Sequence, residues 1–142
     1  MSVKVWKGIT IALLCLTGVG GLAGGVGFLV DPSGGSIGMP SSLLKGTMFS
    51  DFLIPGLLLF IVIGGGHILA GILVWKKGDS GWIYSFIAGL ALVIWIFTQV
   101  CLIGYVSLLQ PLYFIVGIVE VVLAFWLDVM RNRRASKVEK KD

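Results

Sequence analysis

Two ionisable side chains lie in the middle of long apolar runs, where a charge is costly. Glu120 lies near the centre of the last run, and His67, the only histidine, lies near the centre of the second. A charged side chain at the centre of a bilayer costs about 2.5 to 3.5 kcal/mol on insertion scales, so residues of this kind face protein. A carboxyl group and an imidazole can share one proton at low dielectric. The sequence therefore predicts a proton-sharing pair in which Glu120 is protonated at neutral pH.

The depths of these residues in their runs agree. At a rise of about 1.5 Å per residue, His67 lies about 12 Å from the inner boundary at Trp75, and Glu120 lies about 15 Å from Met130. Thr17, on the first run, lies at the same depth and can donate a hydrogen bond. We therefore expect Thr17, His67 and Glu120 to form an intramembrane polar site. Three roles for Glu120 stay open: structural hydrogen bonding between helices, a proton- or ligand-coupled function, and a lipid-facing carboxyl.

The chain lacks the residue patterns of the common catalytic and metal sites. One His and one Glu are too few for a zinc site, which takes at least three protein ligands. Cys15 and Cys101 lie within apolar runs and form no Cys-x-x-Cys pair. A phosphate-binding loop and a Ser-His-Asp set are also absent from the sequence. We expect no metal, no cofactor and no catalytic residue.

Four apolar runs must position the polar residues. The chain of 142 residues is 57% hydrophobic and only 13% charged, with a mean hydropathy of +1.02, whereas soluble domains are about 25% charged. The runs cover residues 8–30, 52–75, 82–104 and 112–130, and each approaches or exceeds the roughly 20 residues that cross a bilayer as a helix. The sequence predicts a single all-α domain, an integral membrane four-helix bundle, followed by a basic, frayed tail over residues 131–142.

The positive charges predict the orientation of the bundle. Every Lys and Arg except Lys45 lies before the first run, between the second and third, or after the fourth. Because cytoplasmic loops are enriched in Lys and Arg, we expect a multi-pass protein of the cell membrane with both termini cytoplasmic. These charges contact anionic lipid. Without a soluble domain to present them, we expect membrane lipids as partners and no nucleic acid.

Glycines on the first run predict close helix contacts. Gly20 and Gly24, and likewise Gly21 and Gly25, form overlapping small-xxx-small pairs that let helix backbones approach. A second glycine cluster over residues 64–66 makes the second run the expected neighbour. We expect these glycines to pack inside the bundle. A homodimer, or a membrane partner protein bound through the same face, is the alternative.

The segment from Asp31 to Asp51 predicts a structured, 21-residue outer loop. Asp31-Pro32-Ser33-Gly34 is a turn signal that ends the first helix. Pro40 can open a short helix over residues 41–45. Gln99, on the third run, lies on the outer side of the polar site, and we expect it to hydrogen-bond across helices or to this loop.

The loop carries a resemblance to other proteins. Its pattern DPSGG, GMP, GT.F.DF.IPG, within residues 18–66, resembles small four-span integral membrane proteins of bacteria and archaea that are uncharacterised. The resemblance implies a four-helix topology and brings no activity with it.

Three functions are consistent with these features. The favoured one is a non-enzymatic membrane component, either a lipid- or partner-binding protein or an accessory subunit. The alternative is a small proton-coupled transporter, active as a dimer, in which Glu120 alternates between protonated and deprotonated states. A quinone- or lipid-modifying membrane enzyme is the third.

Overall fold

The computed structural model describes residues 2–139, and the regular secondary structure of these residues is helix, with no strand. Its long helices are α1 (Val3–Val30), α2 (Leu53–Lys76), α3 (Trp82–Ile103) and α4 (Leu109–Glu139). All four are long and apolar enough to cross a membrane. The structure thus confirms the prediction of an all-α chain with four long apolar helices.

Two helix boundaries differ from the expected ones by five residues or more. The first helix begins at Val3 rather than at residue 8, and the last continues to Glu139 instead of ending near Met130. The expected fraying of the tail therefore does not hold over residues 131–139, whereas residues 140–142 lie outside the described part. The sequence there is rich in Arg, Ala and Lys, which have high helix propensity. The charged residues after Met130 end the apolar run, but the helix continues through them.

The four helices form an antiparallel bundle with two distinct ends. We call the end that carries residues 31–52 the loop end, and the opposite end, which carries Ser2 and the short helix Gly78–Ser80, the tail end. Helix α1 packs along α2, and α3 packs along α4. Helices α2 and α3 contact each other mainly in their tail halves and separate toward the loop end.

Glycines set the distance between α1 and α2. A Cβ atom at Gly21 would lie 2.7 Å from the backbone nitrogen of Gly64, and one at Gly25 would lie 2.6 Å from Cβ of Phe60. Both approaches are closer than real Cβ contacts, so any side chain at either position would force the backbones apart. The predicted contact between the two glycine clusters thus lies within the chain.

The other two predicted glycines do not face the α2 backbone. Gly20 lies opposite the hydroxyl end of Tyr113, and the nearest atom to a Cβ at Gly24 would be the side-chain Cδ2 of Leu59, 3.1 Å away. The small-xxx-small pattern covers two faces of α1, and only the one with Gly21 and Gly25 meets a helix backbone. Gly20 instead makes room for the Tyr113 ring, and Gly24 faces the Leu59 side chain.

The middle of α2 is not an α-helix. Residues Leu59–Gly65 form a π-helix, which passes into ordinary α-helix at Gly66. The Gly66 N–H is directed at the carbonyls of both Ile61 and Ile63, which marks the change of hydrogen-bond register. Short π-helical segments within α-helices often occur at functional sites. This one directly precedes His67.

The loop between α1 and α2 is folded. The carboxylate of Asp31 accepts hydrogen bonds from the Ser33 hydroxyl (2.6 Å) and from the Ser36 N–H (2.8 Å), and these bonds hold the pKa of Asp31 below its ordinary value. The Phe52 N–H donates to the carbonyl of Pro32 (2.8 Å), which joins the two ends of the loop. Leu44, in the short helix Ser41–Leu44, is buried against the ends of the long helices.

Candidate functional site

Three helices bring their polar residues together at the centre of the bundle. Thr17 donates a hydrogen bond to Oε1 of Glu120 (2.9 Å), and Nε2 of His67 lies 3.2 Å from Oε2 of the same carboxyl group. His67 and Glu120 are 0% exposed and Thr17 is 2% exposed. The three residues that the sequence places at one depth therefore form one hydrogen-bonded group, which we call the polar cluster.

Helix α3 contributes to this cluster through small residues that the sequence analysis did not single out. The Ser85 hydroxyl donates to the backbone carbonyl of Glu120 (3.3 Å). A Cβ atom at Gly89 would lie 2.8 Å from Cβ of Glu120 and 2.9 Å from the carbonyl of Gly117. Ser85 and Gly89 are four residues apart, so the small-xxx-small spacing was a signal that could have found them.

The hydrogen bonds fix the number of protons in the cluster. Nδ1 of His67 lies 2.7 Å from the carbonyl oxygen of Ile63, which can only accept, so Nδ1 carries a hydrogen. The contact between Nε2 and Oε2 of Glu120 then requires one more proton. Either the carboxyl O–H donates to a neutral ring, or an imidazolium donates to a carboxylate. In both arrangements His67 and Glu120 together carry no net charge.

Apolar layers close the polar cluster on both sides. Ile63 and Leu92 lie one turn toward the loop end, and a layer that includes Leu14, Val74 and Ala88 lies toward the tail end. Among the side chains that the structure describes, no buried nitrogen or oxygen lacks a hydrogen-bond partner. The cluster is thus sealed and fully hydrogen-bonded. A charge left there without its partner would be costly.

A cavity of about 450 Å³ lies in the loop half of the bundle, directly beyond this seal. Ile63 and Leu92 form its floor, so it begins about one helical turn from the polar cluster. Gly20 and Gly24 line it on the α1 side, and Met39 of the loop contributes to the other end. Cavities of about 300–1,000 Å³ are typical of small-molecule sites.

Two glutamines lie on the loop side of this cavity, and the Tyr113 hydroxyl lies near its floor, against Gly20. Gln110 is already engaged, since its amide accepts from the Val106 N–H (2.8 Å) and donates to the carbonyl of Gly104 (3.1 Å). Gln99 and Tyr113 also line the cavity. Their side chains make no hydrogen bond to any other residue of the described part. The bond expected for Gln99, across helices or to the loop, is not formed, because its amide faces the cavity instead.

The polar cluster and the cavity are neighbours in the bundle. Ile63 connects them, since its carbonyl accepts the bond from His67 and the residue also forms part of the cavity floor. In the part of the chain whose side chains are described, no three His, Cys, Asp or Glu residues converge as a metal site would require. Comparisons with protein-family models, with curated proteins and with solved structures found no match for this chain.

Proposed function

We propose that this protein is a non-enzymatic, multi-pass protein of the cell membrane that binds an uncharged lipid-like molecule in the loop-half cavity. Four helices of membrane-spanning length and an outer surface rich in exposed Leu, Ile, Val and Phe support insertion in a bilayer. The basic residues gather at the tail end, which supports a cytoplasmic tail end and an external loop end.

The observation that carries this proposal is the character of the cavity wall. Its floor is apolar, formed by Ile63, Leu92 and neighbouring Ile96 with the Tyr113 ring packed against them, whereas Gln99 offers a free amide nearer the loop end. A ligand that fits is apolar over most of its surface and carries a small hydrogen-bonding group at one end. Among the described residues, no Lys, Arg, Asp, Glu or His lines the cavity, so a hydroxyl, ester or amide suits it better than an ionised group.

The same wall supports binding rather than catalysis. Tyr113 carries the only ionisable side chain among the described residues of the lining, and a free phenol is a weak base and nucleophile at neutral pH. The groups that could transfer a proton, His67 and Glu120, lie behind the floor. A bound molecule would meet hydrogen-bonding groups and hydrocarbon.

A titration with a defined lipid tests this function. We expect mono-oleoylglycerol to bind the detergent-solubilised protein saturably, and palmitate, which is anionic, to bind more weakly. Gly24→Phe should abolish binding because the ring fills the cavity. Ala23→Phe is the matched control, since Ala23 is exposed on the adjacent position of α1 and does not line the cavity. Equal binding by both variants would contradict the proposal.

A proton-coupled transporter is the second candidate, and the position of Ile63 favours it. A ligand that displaces Ile63 from the cavity floor would also move the carbonyl to which Nδ1 of His67 donates. The shared proton could then leave or return as the ligand binds. Proteoliposomes with a pH gradient and an internal pH-sensitive dye test this idea. Ligand-dependent proton flux that Glu120→Gln abolishes would support it, and an absence of flux in the wild-type protein would overturn it.

A further inference from the structure

We infer that the lipid enters sideways, between α2 and α3, and that its hydrocarbon chain occupies a second cavity there while its polar group lies in the first. This inference rests on the proposed function and specifies the ligand as a neutral lipid with a single chain. It follows from the position, the lining and the connection of the second cavity.

The second cavity lies where α2 and α3 separate toward the loop end. It has a volume of about 250 Å³, and its walls include Leu58 of α2 and Leu102 of α3. These two side chains are 43% and 38% exposed, so the space between them opens onto the outer surface of the bundle. On a protein inserted in a bilayer, that surface contacts lipid tails.

The lining of the second cavity suits a hydrocarbon chain. Apart from the indole N–H of Trp95, the polar groups among the described residues that form it belong to Thr98 and Gln99. Thr98 already donates its hydroxyl to the carbonyl of Ile94 (2.8 Å). A polar ligand would find few hydrogen-bonding partners in this cavity. A chain of methylene groups would contact aromatic and aliphatic side chains on most sides.

The two cavities adjoin each other. Phe28, Trp95 and Gln99 line both of them. Phe28 is held in place by stacking on Phe52, with ring centroids 4.7 Å apart. Gln99 therefore presents its unpaired amide at the junction, where the polar group of a lipid would follow its chain into the first cavity.

The folded loop favours access from the side over access from the loop end. Met39 lies over the first cavity, and Leu44 and Phe49 lie over the second. The hydrogen bond from the Phe52 N–H to the carbonyl of Pro32 anchors this cover. On the side of the second cavity, Leu58 of α2 and Leu102 of α3 stay partly exposed between the two helices. A lipid that diffuses in the membrane thus reaches the site without crossing the loop.

Photocrosslinking in proteoliposomes tests the inference. The probe is a monoacylglycerol whose chain carries a diazirine at its terminal carbon, and labelled residues are mapped by mass spectrometry. In the wild-type protein we expect labelling at the walls of the second cavity, at Leu58 and Leu102. Thr98→Trp, which fills this cavity, should lose that labelling. Ile94→Trp is the matched control, one turn away on the same helix and lining neither cavity.

The outcomes separate this inference from the function on which it rests. Loss of labelling in Thr98→Trp and in Gly24→Phe, with Ile94→Trp unchanged, supports both. If Thr98→Trp still binds the probe while Gly24→Phe does not, the side route is wrong and the first cavity remains the binding site. If wild-type labelling is spread evenly over the outer surface of the helices, both are wrong. Circular dichroism of each variant establishes that it is folded.

Discussion

Replacing Glu120 with Leu should destabilise the bundle, because it removes the hydrogen bonds of Glu120 to Thr17 and His67. Leu fills a similar volume but removes both carboxyl oxygens from the cluster. Thr17 can turn its hydroxyl to a carbonyl of its own helix. His67 cannot adapt, because its Nδ1–H is committed to the carbonyl of Ile63 and its Nε2 is left facing hydrocarbon. One orphaned buried group costs about 1–3 kcal/mol, and we expect the free energy of unfolding to fall by that amount.

Three further variants test whether the hydrogen bonds account for this cost. Glu120→Gln keeps an oxygen for Thr17 and an N–H for Nε2 of His67, so it should unfold with nearly the wild-type free energy. His67→Leu should cost about 1–3 kcal/mol, because it orphans Oε2 of Glu120. The double variant His67→Leu with Glu120→Leu leaves neither group orphaned. Its cost should be smaller than the sum of the single costs by about 1–3 kcal/mol.

The assay is reversible unfolding in mixed detergent micelles, followed by circular dichroism. Infrared spectroscopy of the same samples locates the shared proton, because a protonated Glu120 adds a carboxyl C=O band that Glu120→Gln lacks. If Glu120→Gln destabilises the protein as much as Glu120→Leu, or if the two single costs add without coupling, the hydrogen bonds of the cluster are not as described.

Other variants test the helix contacts, the orientation and the loop. Gly21→Ala should lower the free energy of unfolding by about 1–3 kcal/mol, because its Cβ would meet the α2 backbone. Gly24→Ala should cost much less. Thermal unfolding compares the two variants, and equal midpoints would contradict the faces of α1 assigned to these glycines. Reporters at both chain ends and between α2 and α3 should read cytoplasmic, while one within residues 33–45 reads exterior; the reverse would overturn the orientation. The pKa of Asp31 in the folded loop is lower than its ordinary value of 3.8. Its carboxylate therefore stabilises the loop at pH values above 3.8. This contribution is lost as the pH falls through the lower pKa of the folded protein. Asp31→Asn should therefore speed hydrogen exchange at the amides that bond this carboxylate at neutral pH, and unchanged exchange would show that these bonds do not hold the loop.

The sequence could predict which residues meet at the centre because depth is a simple function of position in a spanning helix. Counting residues from the charged ends placed Thr17, His67 and Glu120 at one level, and the structure brings them within hydrogen-bonding distance. The helix ends were less predictable, since the basic residues after Met130 end an apolar run yet remain good helix formers.

Other features could not be predicted from pattern. A small-xxx-small repeat allows close approach but does not say which helix approaches, so Gly21 and Gly24 looked alike. Three successive glycines at residues 64–66 permit an unusual backbone without specifying a π-helix. The cavities arise where helices separate, which depends on the combined geometry of α2, α3 and the loop.

Native mass spectrometry of the protein released from cell membranes tests the central claim, that the loop-half cavity holds a neutral lipid, most directly. We predict a complex with one added molecule whose mass is that of an uncharged, single-chain lipid. This species should be retained in Ala23→Phe and lost in Gly24→Phe. A wild-type protein without any bound lipid, or a Gly24→Phe variant that carries the same lipid, would contradict the claim.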